Sequence, residues 1–278
     1  MSHLSELSHI QQRLRRDDYA AYLSVKRVPA ALQEPLFWLE GFFKEVSDIP
    51  YRVDEPFLAE IRLQWWRDGI DKILRGERLG HPIADGLAPY LLEHEAALKG
   101  PLVSILNSFE TEVMLSAVDG KDAFFERYKK RFGAVLAARF LLAGEGEVDL
   151  ALLEEAGIAI GVSDMLATLP QALTKGFPLL PQVVLDQFDL TYEDLVKAEE
   201  APRLTRFYQE VVTGATVISW DIKGRISPLS ALQKKLLARW ILVPGVLRCA
   251  LAERVAGKMT MSSQSPLSQF YRLLLLRP

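Results

Sequence analysis

Three pairs of aspartates carry the spacing that lets two carboxylates reach one divalent cation: Asp68 with Asp71, Asp119 with Asp122, and Asp186 with Asp189. Carboxylates three residues apart share a helical face, and their hard oxygens suit magnesium. Asp68 and Asp71 fall on one face of a helix that bears two tryptophans, Asp119 and Asp122 flank a turn, and Asp186 and Asp189 lie in a loop region. Each pair reads more simply as a solvated helix face or a cap. The run Lys129-Lys130-Arg131 could meet phosphate, but a charge run on a helix is first read as exposed. His3, His9, His81 and His94 are scattered without metal-ligand spacing, which argues against a structural zinc site.

The elements that must position any such chemistry are helical. Good helix formers dominate, and sustained β-branched alternation is absent. The pattern predicts helices over Pro29–Val46, Pro56–Arg75, His81–Leu98, Pro101–Val118, Lys121–Ala143 and Asp149–Leu169. Later ones are predicted over Thr191–Ala198, Pro202–Ile222, Pro228–Val255 and Pro266–Leu276. Prolines stand at the first turns of many of these, where a missing N–H costs nothing. Glycines such as Gly76, Gly144, Gly176 and Gly224 punctuate the ends. With no repeat and no long linker, the expected organisation is one helical domain over residues 1–278, with residues 1–16 as a loose polar N-terminal segment.

Composition narrows the class. The chain has 278 residues, 49% apolar and 25% charged, enough to bury a core without disulfides or metals. Its single cysteine, Cys249, cannot pair internally, which suits a reducing compartment. A net charge of −3 offers no basic excess, so a nucleic-acid partner is not expected. The N-terminus lacks a signal-type apolar core. The richest apolar stretch, Leu236–Ala252, is interrupted by Arg239, Pro244 and Arg248, so no transmembrane segment is expected. A cytoplasmic location follows, with peripheral contact at the inner membrane face left open.

The segment Glu60-Ile61-Arg62-Leu63-Gln64-Trp65-Trp66-Arg67-Asp68 is an amphipathic helix in which Ile61, Leu63, Trp65 and Ile70 are expected to feed a core. Adjacent tryptophans point about 100° apart on a helix, so at most one is central. Taken whole, this run resembles the squalene/phytoene synthase family, and particularly its degenerate branch similar to mitochondrial complex I assembly factors. Asp17-Asp18-Tyr19 resembles the start of the family's first helix, and Pro35-Leu36-Phe37-Trp38 the helix of its first acidic motif. Tyr128–Ala143 resembles the helix that begins with the family's tyrosine, and Gly157–Pro181 lines up with the second acidic motif and its loop.

The resemblance implies an all-α, single-domain isoprenoid-synthase-type bundle around a central cavity. The family's enzymes join two prenyl diphosphates, and magnesium held by carboxylates on facing helices neutralises the departing diphosphate. Here the first motif falls on Ser47, Asp48, Ile49, Pro50 and Tyr51, leaving only Asp48, one residue off the paired positions. Pro50 should also end or distort the helix. The second falls on Gly161, Asp164, Ala167, Thr168, Gln171 and Ala172, where the enzymes carry Gln, Asn, Arg, Asp, Glu and Asp. The phosphate-side Gly-Arg is Gly176-Phe177, while Pro181 is kept.

Both motifs are therefore degenerate and no metal site is assigned. If magnesium supplied even ~5 kcal/mol, its loss would slow the reaction by roughly four powers of ten. Asp48, Tyr128, Arg139, Gly161 and Asp164 are the ligand-binding candidates. Asp164 falls on a cleft-facing position of the enzymes and would need water or a basic partner such as Arg139. Gly157 and Gly161, one turn apart, suit close helix packing better than phosphate binding.

The leading expectation is a pseudoenzyme without cofactor. It would bind a respiratory-complex subunit or other protein partner, or an isoprenoid-like lipid. Pro170, in place of an acidic helix end, suits the assembly-factor branch. A second reading is a prenyltransferase that condenses two prenyl diphosphates with magnesium at an atypical site. A third is a lipid-binding module at the inner membrane face. The apolar stretch Leu267–Leu276 could serve partner contact, although a packed terminal helix explains it better.

Overall fold

The computed structural model describes residues 3–53, 55–114, 120–145, 148–197 and 229–241, with isolated positions between 203 and 211. The helices run in the order α1 (His3–Asp17), α2 (Tyr19–Lys26), α3 (Ala30–Ser47), α4 (Ile49–Arg52), α5 (Pro56–Leu74) and α6 (Pro82–Asn107). They continue with α7 (Glu110–Val113), α8 (Gly120–Leu142), α9 (Leu150–Thr174), α10 (Gln182–Asp186) and α11 (Tyr192–Lys197). Residues 231–241 are also helical, and no strand occurs among the described residues. The all-helical class is thus as expected. Cys249, most of Pro202–Ile222, the end of Pro228–Val255 and all of Pro266–Leu276, with its apolar stretch, lie outside the described residues.

The N-terminal segment is not loose. It forms α1, whose Leu7, Ile10 and Leu14 are buried against the bundle. These sit at i, i+3 and i+7 in an otherwise polar run, and one narrow stripe is enough to dock a helix. Arg13, on the same helix, pairs with Glu45 on α3 at 2.7 Å. Next comes α2, capped by the Asp18 carboxylate, which accepts from the Ala21 N–H at 3.0 Å.

Helix α3 is apolar nearly all round. Leu36, Phe37, Trp38, Leu39, Phe42 and Val46 are all inaccessible to solvent, as befits a central helix. It stops at Ser47, and Pro50 occupies the first turn of α4, so the proline does end the helix at the first motif. In α6 the two helices expected on either side of Pro101 are joined. The break falls earlier, at Glu95 (φ 34°), and Pro101 lies within the second half. Likewise α9 does not end at Leu169 but continues through Pro170 to Thr174, whose hydroxyl donates to the Pro170 carbonyl.

Only part of the expected face of α5 is buried. Ala59, Leu63, Trp66, Ile70 and Ile73 point inward, whereas Ile61 is 48% and Trp65 42% exposed. Positions 61 and 63 stand about 200° apart on a helix, so both cannot serve one core. Trp66 takes the central place and packs edge-on against Phe42.

Helices α8 and α9 run antiparallel and approach closely. A Cβ on Gly157 would lie 2.7 Å from the Gly133 nitrogen, and one on Gly161 would lie 2.5 Å from the Tyr128 Cβ. Both glycines therefore serve packing, as their spacing suggests, and Gly161 lies under Tyr128 rather than in an open ligand site.

Candidate active-site region

The positions that match the two acidic motifs lie at the α3–α4 junction and along α9. Asp48 is buried, and its carboxylate is occupied by cations. It pairs with Lys44, with Arg13 at 3.4 Å and with Arg52 at 2.6 Å. Ser47 donates its hydroxyl back to the Lys44 carbonyl at 3.1 Å. Neither is offered to a metal. Tyr51 instead turns inward, edge-on to Phe177 at 6.3 Å.

On α9 the outcome is similar. Asp164 is half-buried. Thr168 returns its hydroxyl to the carbonyls of Asp164 and Met165 at 3.0 and 3.2 Å, which ties it to its own helix. Gln171 is exposed, while Ala172 is fully buried and its carbonyl caps the helix end by accepting from Phe177 at 2.8 Å. Arg139 does not serve Asp164. Its Nε and Nη2 both donate to Glu40 Oε1 on α3, at 2.8 and 2.7 Å, deep in the bundle.

Between the two degenerate motifs lies a polar group that the sequence pattern did not single out. Glu112, near the end of α7, is 1% exposed. Arg131 Nη2 donates to it at 2.8 Å, and Arg127 Nη1 lies 3.6 Å away. Arg131 also donates to the Ser108 hydroxyl at 2.9 Å and stacks 3.6 Å over the Phe109 ring. Arg127 reaches the Leu179 carbonyl at 3.3 Å and lies 5.1 Å from the Tyr128 ring, while its Nε and Nη1 make no hydrogen bond among the described residues.

The basic run is thus split by the helix. Lys130 faces solvent, and Arg131 is buried. What could have marked Arg127 and Arg131 is their one-turn spacing on either side of Tyr128, among Phe124 and Phe132.

Two tyrosines complete the group. Burial, with the Glu112 charge adding to it, pushes the Tyr51 phenol far above its ordinary range. Burial does the same to Tyr128, with Arg127 opposing and Glu112 reinforcing the shift. Both therefore stay neutral and can donate or accept hydrogen bonds. Asp164 lies close enough to contribute to both shifts.

These side chains do not fit magnesium. No group of three metal-ligating residues occurs among the described residues. The most buried nearby carboxylate, Glu112, is already held by guanidinium, and Thr168 and Ala172 supply no charge. Among the described residues, Arg127 and Arg131 both face the single Glu112 carboxylate.

The overall fold is similar to that of a dehydrosqualene synthase crystallised with a ligand, with a TM-score of 0.74 at 11% identity over 99% of this chain and 98% of that one. It is also similar to the squalene synthase HpnC from Alicyclobacillus acidocaldarius, with a TM-score of 0.69 at 15% identity over 90% and 94% of the two chains. At such identities the likeness concerns the fold.

A Drosophila melanogaster homologue of NADH dehydrogenase (ubiquinone) complex I assembly factor 6 is 22% identical over 196 residues, which is 69% of this chain and 59% of that protein. The family model for squalene/phytoene synthase matches residues 14–240, including both degenerate motifs and the buried Glu112–Arg131 pair between them. The chain belongs to the squalene/phytoene synthase family.

Proposed function

We propose that this chain is a non-catalytic member of its family, which keeps the helical bundle to bind a protein partner or an isoprenoid-like lipid. The observation that carries this reading is the fate of the acidic positions. Ser47 and Thr168 bond back to their own helices, Ala172 packs in the core, and Asp48 is neutralised by Arg13, Lys44 and Arg52. Without free carboxylates at these four positions to gather magnesium, ionisation of an allylic diphosphate loses electrostatic support.

The likeness to a complex I assembly factor homologue favours a respiratory-complex subunit as the partner. We place the protein on the cytoplasmic side, in peripheral contact with the inner membrane. No helix among the described residues is long and apolar enough to cross a membrane.

The test is product formation from farnesyl and geranylgeranyl diphosphate with magnesium and NADPH, over long incubation with folded protein. No product is expected. Turnover that EDTA abolishes would overturn the reading in favour of a prenyltransferase with an atypical metal site.

A further inference from the structure

Two buried N–H donors meet no acceptor near the end of α8. Arg139 on α8 is 4% exposed, and Trp240, in the helix over residues 231–241, is wholly buried. Arg139 directs its Nε and Nη2 to Glu40, but its Nη1 makes no hydrogen bond among the described residues. The indole Nε1 of Trp240 makes none either. The two groups are neighbours: the Arg139 Cζ lies 5.8 Å from the centre of the Trp240 ring. Buried donors are almost always paired, because desolvation without an acceptor is costly. Two orphans from separate helices at one place mark a position for an acceptor oxygen.

The surroundings define what carries that oxygen. Glu40 and Arg139 already cancel each other's charge, so a further anion would stand uncompensated in the bundle. A cationic group would bring more donors to a place where donors are in excess. The group that fits is neutral and accepts, as a carbonyl does. One turn away along the three helices stand Leu36, Leu136 and Leu236, all closed to solvent, and Phe140 packs edge-on against Trp240 at 4.9 Å. Glu40 lies two turns before Ser47 on α3, about 10 Å away, so the place is distinct from the degenerate motifs.

We propose that Arg139 and Trp240 hold the carbonyl oxygen of a neutral lipid inside the bundle. Arg139 Nη1 and Trp240 Nε1 are the donors, and the leucines and Phe140 meet its apolar part. This rests on the lipid-binding reading above, and it narrows the ligand to an isoprenoid-like lipid whose polar group is an uncharged carbonyl.

Equilibrium dialysis of the full chain against three probes tests it. Farnesylacetone is a neutral ketone, farnesene has the apolar body without oxygen, and farnesyl monophosphate is anionic. Wild type should bind the ketone about tenfold more tightly than either of the others, the worth of one well-made hydrogen bond. Trp240→Phe keeps a ring against Phe140 and deletes the N–H. It should lower the affinity for the ketone about tenfold and leave that for farnesene unchanged, a split that loosening of the core would not produce. Equal binding of ketone and farnesene by wild type would mean that water alone serves these donors. Tighter binding of the monophosphate, or a Trp240→Phe variant that keeps the ketone or loses both neutral probes equally, would likewise overturn the carbonyl site while the lipid reading stands. If wild type binds no probe, the site and the lipid reading fall together, and a protein partner is left.

Discussion

Arg131 donates to Glu112 across 2.8 Å, with both side chains almost completely buried, in the region between the two degenerate motifs. A second arginine, Arg127, lies 3.6 Å from the same carboxylate. Where the family's enzymes depend on carboxylates free to gather metal, this chain has a carboxylate committed to guanidinium. The pair ties α7 to α8, and Arg131 also reaches the carbonyl of Ser108, at the end of α6, at 2.6 Å.

The first expectation concerns that pair. Glu112→Ala leaves two buried guanidiniums without their counter-charge and should cost about 3 to 5 kcal/mol in urea unfolding. The triple variant Glu112→Met, Arg127→Met and Arg131→Met should recover much of the loss, because it removes the carboxylate and both guanidiniums together. A loss under about 1 kcal/mol for Glu112→Ala would mean that the arginines find water or another partner.

The sequence disclosed those parts of the fold that local chemistry governs. Pro56 opens a helix as expected, and α3 stops where the first motif falls, with Pro50 in the first turn of the next helix. It did not disclose which residues meet at long range. Arg139 finds Glu40, 99 positions away, rather than Asp164. Arg131 was hidden in a run of three cations, because adjacency in sequence says nothing about the 100° step that sends Lys130 outward and Arg131 inward. The same step separates Trp65 from Trp66. Local polarity also misled at the N-terminus, where three apolar side chains in a polar run suffice to seat α1. The degenerate motifs were legible because they are absences at fixed positions. The Glu112 group was not, since a lone glutamate on a short helix carries no pattern.

The second expectation follows from the α8–α9 contact. Gly157→Ala would drive a methyl into the Gly133 backbone, and Gly161→Ala would drive one into Tyr128. Each should destabilise by about 1 to 3 kcal/mol, the usual range for overpacking. Both contacts are with backbone or with a Cβ fixed to it, so in either variant the two helices must part. Gly100→Ala, in the second half of α6 with open space around its Cβ, should instead stabilise by roughly 0.5 to 1 kcal/mol. Thermal unfolding of the three variants beside wild type checks this, and midpoints equal to wild type for Gly157→Ala and Gly161→Ala would show that the helices can separate at little cost.

The third expectation is an alkaline loss of stability through Tyr51 and Tyr128. Burial raises both phenols well above the value of about 10 that they have in the unfolded chain. Below pH 10 both states keep their protons, so these groups add no pH dependence. Above it the unfolded chain releases them while the folded chain does not, and the unfolded state is favoured increasingly as pH rises. Each tyrosine should withdraw about 1.4 kcal/mol by pH 11. Tyr51→Phe with Tyr128→Phe should therefore lose about 3 kcal/mol less than wild type between pH 9 and pH 11 in urea unfolding. Parallel losses in the two proteins would mean that these phenols ionise in the folded state, and that water reaches the space between the two motifs.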